Sequence, residues 1–427
     1  MAASFSLETL RKEFHPTFWV ANGMELFERL AYYAQNVVFV IYLTQKLGYS
    51  ETEAGGFSGV FGGIMWLFPI VAGTLADKWG YRRAFFIAFS ILAIGYFLIG
   101  SLGISAFAQF YGAEQHPYIL LLFLIFTAMG GAFIKPSVLG TVAVTSTTEG
   151  RSLGFAIYYW LVNAGALIGP TIAYFVRDRI GIEFVYLLSA ISCAAMVVVN
   201  YFLYREVKPE GTEVVETLTK KILNLFVVLT NYRFIIFLLI YSLYWFIFWQ
   251  EFLIIPLYVT NFLDKSVSYE ILLSWPGAGA IVLLQIPLNW LTKRLPTHKA
   301  ILAGFAVSSL IWLIIGLAPS VYTFAAGIIT FAIGEMIQAP RYYEYISEIA
   351  PAGQQSLFQG YGFLPIAIAR FAGDPIGGWL FETAKHNGTP ETIWYVLIGT
   401  GVVATLLMAL YNKFLLPGAQ NSTSVHS

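Results

Sequence analysis

The sequence predicts an all-α membrane protein with twelve transmembrane helices arranged as two six-helix bundles. Three observations lead to that fold class. Of 427 residues, 58% are apolar and only 11% are charged, with a mean hydropathy of +0.71, a balance suited to a lipid-facing surface. Apolar stretches of about 20 residues, the length that crosses a bilayer, recur along the whole chain. One long polar segment, 205–231, falls midway and leaves six spans on either side.

The spans are expected at about 17–44, 54–76, 83–103, 117–144, 151–176, 183–204, 232–262, 267–292, 299–318, 320–347, 354–381 and 389–414, joined by short turn-rich connectors. The domain plan is an N-terminal segment 1–16, a bundle 17–204, a linker 205–231, a second bundle 232–414 and a tail 415–427. Residues 1–16 are polar and the first apolar run is too long for a signal core, so no cleaved leader is expected. With both termini in the cytoplasm, fifteen Lys and Arg residues fall in cytoplasmic segments: Arg11, Lys12, Lys78, Arg82, Arg83, Arg151, Arg205, Lys208, Lys220, Lys221, Arg233, Lys293, Arg294, Lys299 and Lys413. Five fall on the other side: Lys46, Arg177, Arg179, Lys265 and Lys385. That asymmetry predicts a multi-pass protein of the plasma (inner) membrane with cytoplasmic termini. Net charge is zero, which argues for no nucleic-acid partner. Cys193 is the single cysteine, which excludes a disulfide framework and a cysteine-rich metal site.

The first span carries the strongest chemical signal. Asn22, Glu25, Arg29, Tyr32 and Asn36 recur at spacings of three and four, which places them on one helical face. Glu28 and Tyr33 flank that seam. Each charge at a helix centre costs about 2.5–3.5 kcal/mol on insertion scales, so three on one helix point to a polar cavity. The bland alternative is a structural Glu25–Arg29 pair at i,i+4. Glu28 then has no complementary partner left on its own helix.

Further polar groups follow in order. The fourth span has Lys135 beside the helix-breaking Pro136, tolerable where the freed carbonyl lines a cavity. The fifth has Asn163. The seventh has Gln250 and Glu251 between Trp249 and Phe252. The tenth has Glu335. The eleventh has Arg370 and Asp374, four apart, for which a self-satisfied intrahelical pair is at least as good a reading as a functional one. All five histidines fall in loops or tails, so a protonatable group in a transport path must be a carboxylate, and Glu25, Glu28 and Glu335 are the candidates. No nucleotide-binding motif, metal-ligand cluster or Ser/His/Asp arrangement occurs. No enzymatic activity, cofactor or metal is therefore expected, and energy would come from an ion gradient.

The two halves also echo each other. Gly73-Thr-Leu-Ala-Asp77-Lys78-Trp-Gly80-Tyr-Arg82-Arg83-Ala84 follows the second span, and Asn289-Trp-Leu-Thr-Lys293-Arg294-Leu-Pro-Thr-His298-Lys299-Ala300 follows the eighth, 216 residues later. An ordinary basic loop would account for Lys78, Arg82 and Arg83 but not for the ordered Gly73, Asp77 and Gly80. Two six-span repeats with such turns resemble the major facilitator superfamily, and the first turn is similar to that superfamily's gating motif.

Within it, Glu25-x-x-Glu28-Arg29-x-x-Tyr32-Tyr33 resembles the first-span signature of the proton-dependent oligopeptide transporters. Gly130-Gly131-Ala-Phe-Ile-Lys135-Pro136-Ser137, Tyr158-Tyr159-Trp-Leu-Val-Asn163-Ala-Gly165 and Gly334-Glu335-Met-Ile-Gln-Ala-Pro340 followed by Ala350-Pro351 are similar to that family's fourth-, fifth- and tenth-span stretches. The resemblance implies proton-coupling roles for Glu25, Glu28 and Glu335. It implies that Arg29 and Lys135 hold a substrate carboxylate, that Glu335 and Asn163 meet its amino end and backbone, and that Tyr32, Tyr33 and Trp66 wall the pocket. Trp245 and Trp249 would add to it.

This chain departs from the pattern at Trp249, where the family often has glutamate. Glu251 is two positions on and faces about 200° away. It also departs at Trp275-Pro276, Gly362 and Arg370. The expected function is proton-coupled symport of di- and tripeptides by alternating access, with a monomer, protons and the lipid bilayer as the working parts. The alternative within transport is another small anionic or zwitterionic solute. From a different class, a non-transporting receptor or scaffold would have no use for a carboxylate pair beside Arg29 and Lys135.

Overall fold

The computed structural model describes residues 12–112, 115–207, 228, 230–263, 266–350 and 355–416. Among these, every extended regular element is a helix, and the one β contact is an isolated bridge between Phe14 and Ser146. A chain this apolar has no water available to its backbone in the bilayer, and a helix pairs its own N–H and C=O groups. Arg11, Lys208, Lys220, Lys221, Lys265, Pro351 and most of the 205–231 linker, which entered the expectations above, lie outside the described residues.

The helices run in order as α1 (Pro16–Ile41), α2 (Glu51–Leu67), α3 (Pro69–Trp79), α4 (Tyr81–Ser101), α5 (Ser105–Ala108), α6 (His116–Gly131), α7 (Ile134–Thr145), α8 (Arg151–Arg179), α9 (Glu183–Leu203), α10 (Tyr232–Phe262), α11 (Tyr269–Thr292), α12 (Thr297–Leu317) and α13 (Val321–Ile349). α14 (Gln355–Gly360), α15 (Leu364–Ile368), α16 (Asp374–His386) and α17 (Glu391–Phe414) complete the chain. Among the described residues, nine helical segments are long and apolar enough to cross a membrane, and the bent pair α2 and α3 makes ten. The two further spans of the twelve are the first and the eleventh. The first falls short because Glu25, Glu28 and Arg29 lie inside it, all buried, and the eleventh because its helix is broken into short pieces.

Three spans are less regular than expected. The second bends by 42° between Leu67 and Pro69, since Pro69 cannot donate back into the preceding turn. The fourth is broken at Ala132-Phe133 rather than at Pro136. Pro136 sits instead in the first turn of α7, where a missing N–H costs nothing. The eleventh is assembled from α14, a 3-10 turn (Tyr361–Phe363), α15, a π-turn (Ala369–Gly373) and α16.

By its contacts the chain divides into two compact units, residues 1–48 with 60–218, and residues 49–59 with 219–427. The division falls inside α2 as well as near the polar linker. In the N-terminal unit, α1 packs along α8 and α9, and α4 packs along α9 and α6. In the C-terminal unit, α12 packs along α13 and α17, α11 along α13, and α10 along α16 and α17.

Candidate functional site

α1 is started by Pro16 in its first turn and by His15, whose Nδ1 accepts from the Thr17 amide at 3.2 Å. Its apolar flanks are fully enclosed at Phe18, Ala21, Met24, Val37 and Val38. The polar seam predicted from spacing is present and lies inside the N-terminal unit, where Asn22, Glu25, Glu28, Tyr32 and Asn36 are each at most 5% exposed.

The pairing within the seam differs from expectation. The bland alternative paired Arg29 with Glu25 and left Glu28 without a partner on its own helix. Instead Arg29 Nε donates to Glu28 Oε2 at 2.5 Å, and its Nη2 makes a second contact with the same oxygen. Glu25 Oε1 stands 3.4 Å from Arg29 Nε, and neither Glu25 oxygen has a hydrogen-bond partner among the described residues. Neighbours one residue apart point about 100° from each other, but the arginine side chain is long enough to turn back onto the adjacent acid. The guanidinium also lies over the Tyr32 ring, 4.8 Å from its centroid, and Tyr33 meets Tyr32 edge-on at 5.3 Å.

Lys135 comes into this set from α7. Its Nζ lies 4.5 Å from the centroid of the Trp66 ring on α2, a cation–π contact, and its charge acts on both Glu25 and Glu28. α7, which begins after the break at Ala132-Phe133, packs against α1. Asn163 on α8 is 8% exposed and donates to the Tyr159 carbonyl at 2.9 Å. Tyr158, not singled out from sequence, is buried within electrostatic reach of Glu25 and Arg29. Two carboxylates, two cations and four aromatic rings thus come together in one region of the N-terminal unit.

What holds α1 there was also missed. A Cβ on Gly165 would come 2.5 Å from Arg29 Cβ, and one on Gly169 would come 2.7 Å from the Leu30 carbonyl oxygen. Gly165-Ala-Leu-Ile-Gly169 is a small-xxx-small spacing that lets two membrane helices approach closely, and that spacing was available in the sequence. From the other side Ser189 and Ser192 on α9 donate to the Ala31 and Phe27 carbonyls at 3.2 and 3.3 Å. Gly165→Val is expected to lower stability by about 1–3 kcal/mol through overpacking and to displace Arg29. Thermal unfolding in detergent checks this, and an unchanged melting temperature would mean that the α1–α8 approach is looser than described.

In the C-terminal unit, Arg370 lies 4.3 Å from the centroid of the Trp249 ring. It pairs with Asp374 at 3.0 Å and donates to Ser58 O and Oγ at 3.2 and 3.1 Å. The intrahelical pair is therefore real, but it is not self-contained. Gln250 Nε2 donates to the Gly373 carbonyl at 3.2 Å. Glu251, expected to face away, is 4% exposed, has an Oε1 without a hydrogen bond among the described residues, and feels the charge of Glu335 on α13. Trp245 stacks edge-on with Tyr244 and Phe248.

The turn after the second span is built around Gly80, whose φ of +87° favours glycine. Asp77 accepts from the Tyr81 hydroxyl at 3.1 Å, and Arg82 donates to the Tyr201 carbonyl at 2.6 Å. Glu206, read from sequence only as linker, accepts from the Tyr81 and Arg82 amides at 2.9 and 2.7 Å, a carboxylate on a helix N-terminus. Gly73 packs on Pro136.

The family described as Major Facilitator Superfamily matches residues 24–282 of the chain. The chain is 25% identical over 346 residues to the multidrug resistance protein MdtH of Klebsiella pneumoniae, covering 79% of this chain and 80% of that one. It is 22% identical to the MdtH of Photorhabdus laumondii, with 88% of each chain covered. Among solved structures, a POT family transporter in complex with 5-aminolevulinic acid superposes with a TM-score of 0.74 at 18% identity, covering 94% of this chain and 96% of that one. The nucleoside transporter NupG superposes with a TM-score of 0.75 at 14% identity, covering 92% and 99%. Structural likeness at these identities carries the fold.

Proposed function

The chain belongs to the major facilitator superfamily, an integral membrane transporter, and we propose that it is a proton-coupled symporter that imports small peptides by alternating access. The observation that carries this reading is the set formed by the buried Glu25, Glu28 and Arg29 with the half-buried Lys135 beside them. Two acids and two cations held near one another stay neutral as a group, so a proton added to one acid frees a cation. A freed Arg29 or Lys135 is then available to a substrate carboxylate. Transport and protonation become one equilibrium, because neither charge can remain alone in an apolar interior. Glu335, with Glu251 close to it, supplies acidic character suited to an amino end. An inward proton gradient then makes the net direction inward.

A second reading keeps the proton and changes the solute. Arg370 over Trp249 replaces an acid with an aromatic-backed cation, which suits another small anionic or zwitterionic molecule. The relatives named as multidrug resistance proteins and the nucleoside transporter sharing the fold are consistent with that breadth.

The test is uptake into proteoliposomes under an inward proton gradient, with dipeptides, amino acids and other small anions offered separately. Accumulation of dipeptides alone, abolished by a protonophore, supports the first reading. Accumulation of a different anion supports the second. Uptake indifferent to the gradient for every solute would sink both.

A further inference from the structure

α8 and α9 are consecutive helices joined by the short turn Ile180-Gly181-Ile182, and both pack along α1. Gly165 and Gly169 let α8 close onto α1, and Ser189 and Ser192 bind α9 to it. Beside these contacts the two neighbours stand apart, and a cavity of about 270 Å³ opens between them. Its floor is the first span, at Leu30, Ala31 and Ala34. Ile172 lines it from α8, and Leu188 and Ala195 line it from α9. All of these residues belong to the N-terminal unit. They lie inside the lengths of their spans, so the groove is at the depth of the lipid tails.

The chemistry of the lining selects the occupant. Among the described residues no charged side chain lines the groove, and its only polar ones are Ser189 and Ser192. Both hydroxyls already donate: Ser189 to the Ala31 and Val185 carbonyls at 3.2 and 3.0 Å, and Ser192 to the Phe27 carbonyl at 3.3 Å. No donor is left to offset the desolvation of a polar solute. A helix from a second copy measures about 10–12 Å across with its side chains, too wide for a cleft of this volume. An unbranched hydrocarbon chain needs neither donors nor width. The rim is continuous with exposed apolar surface at Phe27, Leu188 and Ile191, in a chain whose family places it in a bilayer. A lipid tail in the groove extends dispersion contacts over the whole lining.

We propose that this groove seats one acyl chain of a bilayer phospholipid, and that the seated chain steadies the turn of α1 that carries Glu28 and Arg29. The second part follows from where the serines bind. The Phe27 and Ala31 carbonyls bracket Glu28 and Arg29 in the chain, so the backbone beneath the groove is the backbone of the polar seam. Phe27, Leu30, Ala31 and Ala34 share one helical face, and the seam takes another. Ala31 and Ala34 leave the floor open where larger side chains would fill it. The seat is independent of the proton and of the solute carried, and requires only that the chain sits in a bilayer.

The test places the full chain in nanodiscs of phosphatidylethanolamine and phosphatidylglycerol. A trace of the same phospholipids carries a photoreactive diazirine in the tail half of one acyl chain, and adducts are mapped by mass spectrometry. Labelling of Phe27, Leu188 and Ile191 is expected to be at least double that of Ile94 on α4 and Leu122 on α6, which are comparably exposed and outside the groove. Ala195→Trp, which fills the groove from an exposed wall position, is expected to bring the groove down to the level of those two. Adding phospholipid to the detergent-solubilised parent is expected at least to halve the hydrogen-exchange rate of the α1 amides from Phe27 to Ala34, and to leave it unchanged in Ala195→Trp. Even labelling of the groove and the two comparison sites overturns the seat, because ordinary boundary lipid labels all of them alike. Cross-links between two copies of the chain in place of lipid adducts overturn it in favour of a dimer contact. Concentrated labelling with exchange indifferent to lipid keeps the seat and rejects its effect on α1. The parent's labelling pattern is the arm that survives if Ala195→Trp fails to fold.

Discussion

Replacing Arg29 with glutamine is expected to abolish uptake and to destabilise the protein by about 3–5 kcal/mol, the range for breaking one side of a buried ion pair. Glu28 is 1% exposed and takes two contacts from the guanidinium. Glu25 is 0% exposed and has that same guanidinium as its nearest cation on α1. Glutamine leaves both carboxylates in an apolar interior with one cation, Lys135, in reach. The reciprocal change tests the cause. Glu28→Gln with Arg29→Gln removes an acid together with its cation and is expected to recover most of the lost melting temperature. It is not expected to recover uptake, because Arg29, the cation proposed to take the solute's carboxylate, is then missing. Thermal unfolding and proteoliposome uptake on both variants read the two effects separately. A single variant that melts like the parent would show that Arg29 is not the counter-charge of this site. Lysine at position 29 is expected to fall between, since an ammonium cannot reproduce the guanidinium's paired donors and its stacking on Tyr32.

How much of this was legible in the sequence depends on how far apart the partners lie. The seam on α1 could be read from its three- and four-residue spacing because helical periodicity is local. The choice of Glu28 over Glu25 as the close partner of Arg29 could not, because it depends on a side-chain path that spacing does not encode. Lys135-Pro136 announced an irregular fourth span, yet the break came earlier, at Ala132-Phe133, since proline is tolerated in a first turn. Gly165 and Gly169 showed a close-approach spacing whose partner, Arg29 and Leu30, lies more than 130 residues away.

The least legible features are those joining the most distant residues. Ser58 accepts from Arg370 across 312 positions, so neither residue alone suggests the other. Arg370 looked like a misplaced cation on a membrane span, and Asp374 like its local remedy. The glycines at 55, 59 and 378 acquire meaning only when their helices are brought together, because what they permit is the approach of a particular carbonyl oxygen. Glu206 is similar: a charged residue at the start of a polar linker is unremarkable until the α4 amides of Tyr81 and Arg82 are seen pointing at it.

On the proposed proton-coupled reading, Glu25→Gln is expected to separate the proton from the solute completely. Accumulation driven by an inward proton gradient should fall to equilibration, while exchange of solute across the membrane continues. Glu25 is the acid to change because neither of its oxygens holds a hydrogen bond among the described residues. A proton can therefore settle there without displacing an existing donor, whereas Glu28 is occupied by Arg29. Glutamine keeps the volume and imitates the protonated acid, so packing around the fully enclosed side chain is retained. The driving force at stake is large: about 2.3 kcal/mol for one charge crossing 100 mV and about 1.4 kcal/mol for each pH unit, enough for at least tenfold accumulation of a neutral solute per proton. With Glu25 as the proposed seat of the proton, its removal is expected to remove that factor and leave the rest of the cycle. Counterflow at the parent's rate with no gradient-driven accumulation is the expected pair of results. Concentrative uptake that survives in Glu25→Gln would move the coupling role to Glu28 or Glu335, and loss of counterflow as well would make Glu25 a residue of the solute's path rather than the proton's.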